Sequence, residues 1–306
     1  MALSEVFAQQ LINGISVGMM YGLMAIGLTL IYGIMELINF AHFSIFVVGA
    51  FVGLEILVRT GATTAEIPTA SVLLILLLTL LGVVIVPGIL GLGLERMLRP
   101  LRGISGTGPM IASMGISTVL SNIILVAKGP QNFAFPSVIP PLTWSFGNVQ
   151  LRLKEVLVWL ICILMMIGLY LLVWKTRLGR AMRATRDDAE AAQMMGVEVD
   201  KILALTFFIS SALAGVAGLV FGLYYCQVNF FSGYGIGMRA FTAAVLGGIG
   251  NPLGSVVGGV IIGLIEAIGG QIIGVQWTQI IVFSILITTL VFLPNGLFGT
   301  QVRRRA

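Results

Sequence analysis

The chain has 306 residues, of which 58% are hydrophobic and only 9% charged, and its formal net charge is +5. A soluble domain carries roughly 25% charged residues, so a water-soluble fold is excluded and the bilayer must act as solvent. The basic residues sit at the ends of apolar segments, which argues for topology determinants rather than a nucleic-acid surface.

The opening stretch, MALSEVFAQQLINGISVG, has no basic start and no small-residue cleavage pattern, so its apolar run is expected to be a mature helix. Spans of about 20 residues are predicted near 11–34, 42–58, 71–94, 109–127, 155–174, 202–226 and 277–294. Residues 236–272 add one long helix, or two shorter ones broken at Gly250-Asn251-Pro252. The expected fold is therefore an all-α, polytopic membrane bundle of eight or nine segments, forming a single domain over 1–306.

Several polar or helix-breaking residues interrupt these runs. Between the first two spans lie Glu36, Asn39 and His42, the only histidine, and Asn39 is suited to capping the second helix. The segment 129–150, within an outer loop of 128–154, has prolines and aromatics that predict an ordered, extended lid. Gly247, Gly248, Gly250 and Asn251 would expose backbone groups at membrane depth, which is tolerated only where protein or a water-filled cavity covers them. Gly254, Gly258 and Gly259 have spacing that suits helix packing. Glu266 lies within an apolar run and requires pairing, hydration or protonation. Cys162 and Cys226 are expected to be small buried hydrophobes.

The main charged island is 175–201, with Lys175, Arg177, Arg180, Arg183, Arg186 and Lys201. Asp187 as N-cap and Glu190 three residues later predict a capping box, with Gly196 as the left-handed C′ residue. The short helix between them would present Ala191, Ala192, Met194 and Met195, with weak Arg183–Asp187 and Arg186–Glu190 pairs beside it. Such a helix fits another protein's groove, or is an ordinary solvated loop helix. Alternation from an outer N-terminus puts this island inside with Arg96, Arg99 and Arg102, a nine-span count adds Arg303 to Arg305, and Arg59, Lys128, Arg152, Lys154 and Arg239 are left outside. No Ser-His-Asp, CxxC, HExxH or GxxxxGK[ST] arrangement occurs, so neither an enzyme, a metal site nor a self-contained ATPase is expected.

The run Glu190-Ala191-Ala192-Gln193-Met194-Met195-Gly196 resembles the EAA loop of ABC importer permeases. The stretches Gly27 to Gly33 and Asn39-Phe40-Ala41-His42, with 243–266 and LPNGLFG at 293–299, are similar to branched-chain amino-acid permeases of the LivH type. Phe43 departs from that family's usual glycine. The resemblance implies a non-catalytic permease subunit, multi-pass in the bacterial inner membrane, without a cofactor of its own. It would work by alternating access with cytoplasmic ATPase subunits, a periplasmic binding protein and a second homologous permease. Asp187, Glu190, Ala191, Ala192, Met195 and Gly196 would then couple to the ATPase. A path for a small zwitterion would use Asn39, His42, Gly247, Gly248, Gly250, Asn251 and Glu266. His42 is open to two roles, a gate or an interfacial histidine held by a backbone carbonyl. Glu266 is equally open, facing a water-filled path or lying near a membrane face with an Arg partner. Urea or a short-chain amide is the runner-up cargo, and an ion-coupled secondary transporter the alternative class.

Overall fold

The computed structural model describes residues 3–61, 69–102 and 107–299. Eleven helices appear among them: α1 (Leu3–Met35), α2 (Ala41–Arg59), α3 (Thr69–Leu98), α4 (Gly108–Lys128), α5 (Leu153–Lys175), α6 (Arg177–Asp187), α7 (Ala189–Met194), α8 (Val199–Tyr225), α9 (Ser232–Gly247), α10 (Pro252–Ile272) and α11 (Thr278–Phe292). Four short strands join them: β1 (Phe133–Ala134), β2 (Thr143–Phe146), β3 (Val149–Arg152) and β4 (Gln227–Val228). The expected all-α bundle is present, and among the described residues eight helical segments are long and apolar enough to cross a membrane. Residues 236–272 form two helices, as the second of the two alternatives had it, separated at Gly248 to Asn251.

α1, α2 and α8 make the buried centre, while α3, α4, α5 and α11 turn leucines, isoleucines and valines outward, as lipid-facing helices do. Lipid tails are as apolar as these side chains, so helices associate by close packing rather than by a hydrophobic force. α1 and α10 accordingly meet along glycines. A Cβ on Gly14 would stand 2.9 Å from Leu264 Cα, and one on Gly18 would stand 2.7 Å from Val260 Cα. Gly259 and Gly263 press back onto the backbone of Gly22 and Gly18. A second seam runs through α8, where Gly215 touches both Gly49 of α2 and Val83 of α3.

The two ends of the seam orient the molecule. Gln10 of α1 donates to Gln271 of α10 at 2.9 Å, and Gln9 binds the β2–β3 hairpin through Gln150, so this is the face of the 128–154 loop. At the opposite end Gly33 lies against Gly250, on the side of the charged island. The outer loop is an ordered, extended structure, as expected. β2 pairs with β3, β1 pairs with β4, and Phe135 is buried beneath them.

Two breaks in the helical pattern face each other inside the bundle. The first is the α1–α2 linker, which returns into the protein so that α2 begins beside Met24 and Gly27 of α1. The second is the entry to α9, whose Gly233 and Gly237 pack on Phe43 of α2. Phe40 touches both Phe43 and Phe241, with ring centroids 5.5 and 6.0 Å apart. α9 has only 16 residues because its chain enters as the extended strand β4 rather than as helix.

Replacing Gly18 by Val forces methyl groups onto the α10 backbone and is expected to lower stability by about 1–3 kcal/mol. Thermal unfolding in mild detergent checks this, with Gly168→Ala as the control. Gly168 has open space around it, so that variant is expected to match or slightly exceed the parent.

Candidate functional site

The charged island folds into two helices, α6 and α7, joined at Asp188. The N-cap of α7 is Asp188, whose carboxylate accepts the Ala191 N–H at 2.9 Å. Asp187 instead ends α6, so the expected cap moves by one residue and no capping box with Glu190 forms. The physical reason is that Asp188 has extended backbone, φ −162°, whereas Asp187 is still helical. The C-terminus is as expected. Gly196 has φ +86°, Gly196 N–H donates to Gln193 O at 3.0 Å and Val197 N–H to Ala192 O at 3.0 Å, a Schellman closure.

Ala192 is buried and anchors α7, while Met194 and Met195 are 88% and 85% exposed. Glu190 and Ala191 are exposed beside them. The expected Arg183–Asp187 and Arg186–Glu190 pairs do not form among the described residues. Arg183 turns back instead, donating to the Val173 carbonyl and lying 4.9 Å from the Trp174 ring centroid. Gly179 packs on the carbonyls of Leu172 and Val173, holding α6 against the end of α5. At the root of α8, Asp200 accepts from Arg99 at 3.2 Å and from Arg102 at 2.6 Å, and both arginines also bind the buried Glu95 of α3. The arm carrying α7 is thus tied to α3, α5 and α8. Arg303 to Arg305 lie outside the described residues.

The intramembrane candidates separate into three groups. Asn39 is 1% exposed; its Oδ1 accepts the Ala41 N–H at 3.1 Å, but the N-cap position of α2 is Phe40, so Asn39 stands one residue before the cap, and its Nδ2 is buried without a partner. It lines a small void with Thr29, Tyr32, Phe241 and Ile249, so the α1–α2 linker meets the α9–α10 corner at this point. His42 is fully buried within the bundle and lies against a backbone carbonyl. Its Nε2 lies 3.3 Å from Met24 O, and Ser210, 3.4 Å from Nδ1, donates to Gly27 O at 2.7 Å. This cluster joins α1, α2 and α8, and Gly27 leaves room for the imidazole.

The corner before α10 is closed by the C-terminal segment. Leu297 and Phe298 donate to the carbonyls of Leu246 and Gly247 at 2.8 and 3.1 Å, and Gly248, with φ +102°, packs against Asn295 and Gly299. Gly250 has φ +95° and faces Gly33. Asn251 caps α10 through Leu253 and Gly254 N–H groups and donates to Phe298 O at 3.0 Å.

Glu266 has an Arg partner. Arg239 Nε lies 2.9 Å from both carboxylate oxygens, and Tyr21 O–H donates to Oε2 at 2.8 Å. Arg239 therefore belongs to an interhelical network inside the bundle, not to the outer charges where alternation had put it. A lone Arg and a lone Glu, each within an apolar stretch, were the signal for this pair, since neither is stable there alone.

The class defined by this fold and site is a polytopic, all-α membrane protein with a short capped helix at the end of the bundle opposite the 128–154 loop. The chain belongs to the family described as branched-chain amino acid transport system / permease component, which it matches over residues 10–290. That membership puts it among the permease subunits of ABC importers. It is 37% identical to the high-affinity branched-chain amino acid transport system permease protein BraD of Pseudomonas aeruginosa, over 96% of each chain. It is 33% identical to LivH of Escherichia coli, again over 96% of each chain, and 30% identical to the probable LivH of Methanocaldococcus jannaschii, over 92% of this chain and 89% of that one. No solved structure matches.

Arg239→Ala leaves Glu266 without its cation, with only the Tyr21 hydroxyl as donor. Because both side chains are less than a fifth exposed, it is expected to cost about 2–4 kcal/mol, whereas Arg239→Ala with Glu266→Ala costs less than the single change. A double-mutant cycle on thermal unfolding measures this, and additive losses would argue against a coupled pair.

Proposed function

We propose that this chain is the membrane-spanning subunit through which an ABC importer carries branched-chain amino acids across the bacterial inner membrane. The observation that carries this reading is the near end-to-end match to BraD and LivH, permease proteins named for that transport. A periplasmic binding protein delivers the cargo, and this chain encloses the path with a second, homologous permease. Two cytoplasmic ATPase subunits grip α7, where the exposed Met194 and Met195 are flexible apolar side chains suited to a partner groove.

Alternating access then follows from the way the arm is tied. Closure of the ATPases displaces α7, and α6 passes the motion to α5 through Gly179 and Arg183. The Glu95, Arg99, Arg102 and Asp200 network passes it to α3 and α8. The helix breaks at Asn39 and at 247–251 are the elements free to change their packing, because neither is part of a continuous helix. Asn39, with an uncommitted amide, and the Arg239–Glu266 pair supply polar contacts for a zwitterion; His42 positions α1, α2 and α8 around them.

ATP-driven uptake of labelled leucine, in vesicles containing the complete transporter, tests the cargo; accumulation of urea or acetamide in place of leucine would overturn it. Gly196→Val puts a β-branched residue at positive φ and stores roughly 1–3 kcal/mol of strain in the α7 turn. Its expected result is normal membrane insertion with loss of ATP-coupled uptake, and wild-type coupling would remove α7 from the mechanism. Glu266→Gln is expected to lower the uptake rate; unchanged kinetics would make the carboxylate purely structural.

A further inference from the structure

A cavity of about 610 Å³ lies on the inner side, beneath the α1–α2 linker and against the roots of α6 and α8. It belongs to none of the path candidates. Its lining combines an aliphatic wall, including Ile38, Met110 and Leu203, with Arg102, Thr185 and Glu36. Two buried polar atoms in that lining have no partner: Arg102 Nε and Thr185 Oγ1. Thr185 is 4% exposed, so its hydroxyl cannot be satisfied by bulk solvent. A buried group left in this way has lost its water with nothing to offset the loss. Mostly apolar walls with a few convergent polar groups are the make-up of a small-molecule site.

We propose that this cavity binds a small aliphatic zwitterion from the cytoplasmic side. Its carboxylate takes the open donors of Arg102 and Thr185, its ammonium faces Glu36, and its side chain packs on Ile38, Met110 and Leu203. Opposite charges at one end and an aliphatic wall at the other select an α-amino acid with an apolar side chain over an anion or a neutral amide. Under the function proposed above that molecule is the released cargo; the inference rests on that reading for the identity of the ligand. Bound there, it joins Thr185 of α6 and Arg102 beyond α3 to Glu36 of the linker. It therefore holds the coupling arm against the α1–α2 break and slows further import as product accumulates.

The test uses the complete transporter in nanodiscs, with Ala189→Cys as a reporter at the cavity wall and Cys226→Ser to remove the other exposed thiol. Saturating L-leucine is expected to slow maleimide alkylation of the reporter by roughly tenfold or more, with leucinamide, which lacks the carboxylate, giving little protection. Adding Thr185→Val is expected to remove most of the protection. Thr185 Oγ1 has no partner in the free protein, so this substitution leaves the thermal midpoint unchanged or higher, and lost protection is then not misfolding. Unchanged alkylation with leucine, or equal protection in the Thr185→Val variant, would overturn the site. Leucine uptake by the same purified transporter, reconstituted in closed liposomes, separates the two readings. Uptake without protection overturns the cavity alone, and protection without uptake keeps the cavity while overturning the transport assignment.

Discussion

Close backbone contact between α1 and α10 is the constraint on which the rest of the structure depends. With no hydrophobic force between helices in lipid, only side chains small enough to vanish allow this approach, and Gly14, Gly18, Gly22, Gly259 and Gly263 supply it. The seam fixes the register of everything attached to it. It brings Tyr21 within reach of Glu266, pairs Thr29 with Ser255 at 2.5 Å and sets Gly33 against Gly250. The partly buried Arg239–Glu266 pair is acceptable here because the seam places Tyr21 and Glu266 together and α9 brings Arg239 to them, so the carboxylate has two donors in bonding geometry.

Polar contacts at the inner face complement that rigid centre. Glu95 is 1% exposed at the end of α3, yet it meets two arginines that also hold Asp200 at the start of α8. One acidic residue from each helix thus shares the same two cations, so the helices cannot separate without uncovering a buried carboxylate. α6 is joined to α5 by carbonyl contacts rather than by ion pairs; Arg177 and Arg180 stay exposed, while Arg186 reaches toward Gly250. The arm is therefore firmly attached to the bundle and free on its outer side, the combination a transmitting element requires.

Much of this architecture was legible in the sequence because the bilayer demands it. Uninterrupted apolar runs fix the spans to within a few residues at most ends, and Gly196 announced its positive φ. The cap of α7 was not legible to one residue, since Asp187 and Asp188 are chemically equal candidates and only the backbone of the α6–α7 junction distinguishes them. Arg239 was misplaced because counting charges by loop assumes that every Arg lies outside the spans, whereas α9 is short and entered from strand β4. The packing role of His42 depends on Met24, Gly27 and Ser210, distant in sequence and brought together only by the return of the α1–α2 linker. The corner at Gly247 and Gly248 has the same character, since its cover comes from residues 295–299.

The most direct measurement is purification of the tagged chain from its native host in a gentle detergent, with every co-purifying subunit identified by mass. Recovery of an ATPase with the intact chain, and its loss when Met194 and Met195 are both changed to Asp, is the result expected of a permease driven through α7. A chain that purifies alone, and moves leucine into vesicles on an ion gradient without ATP, would contradict it.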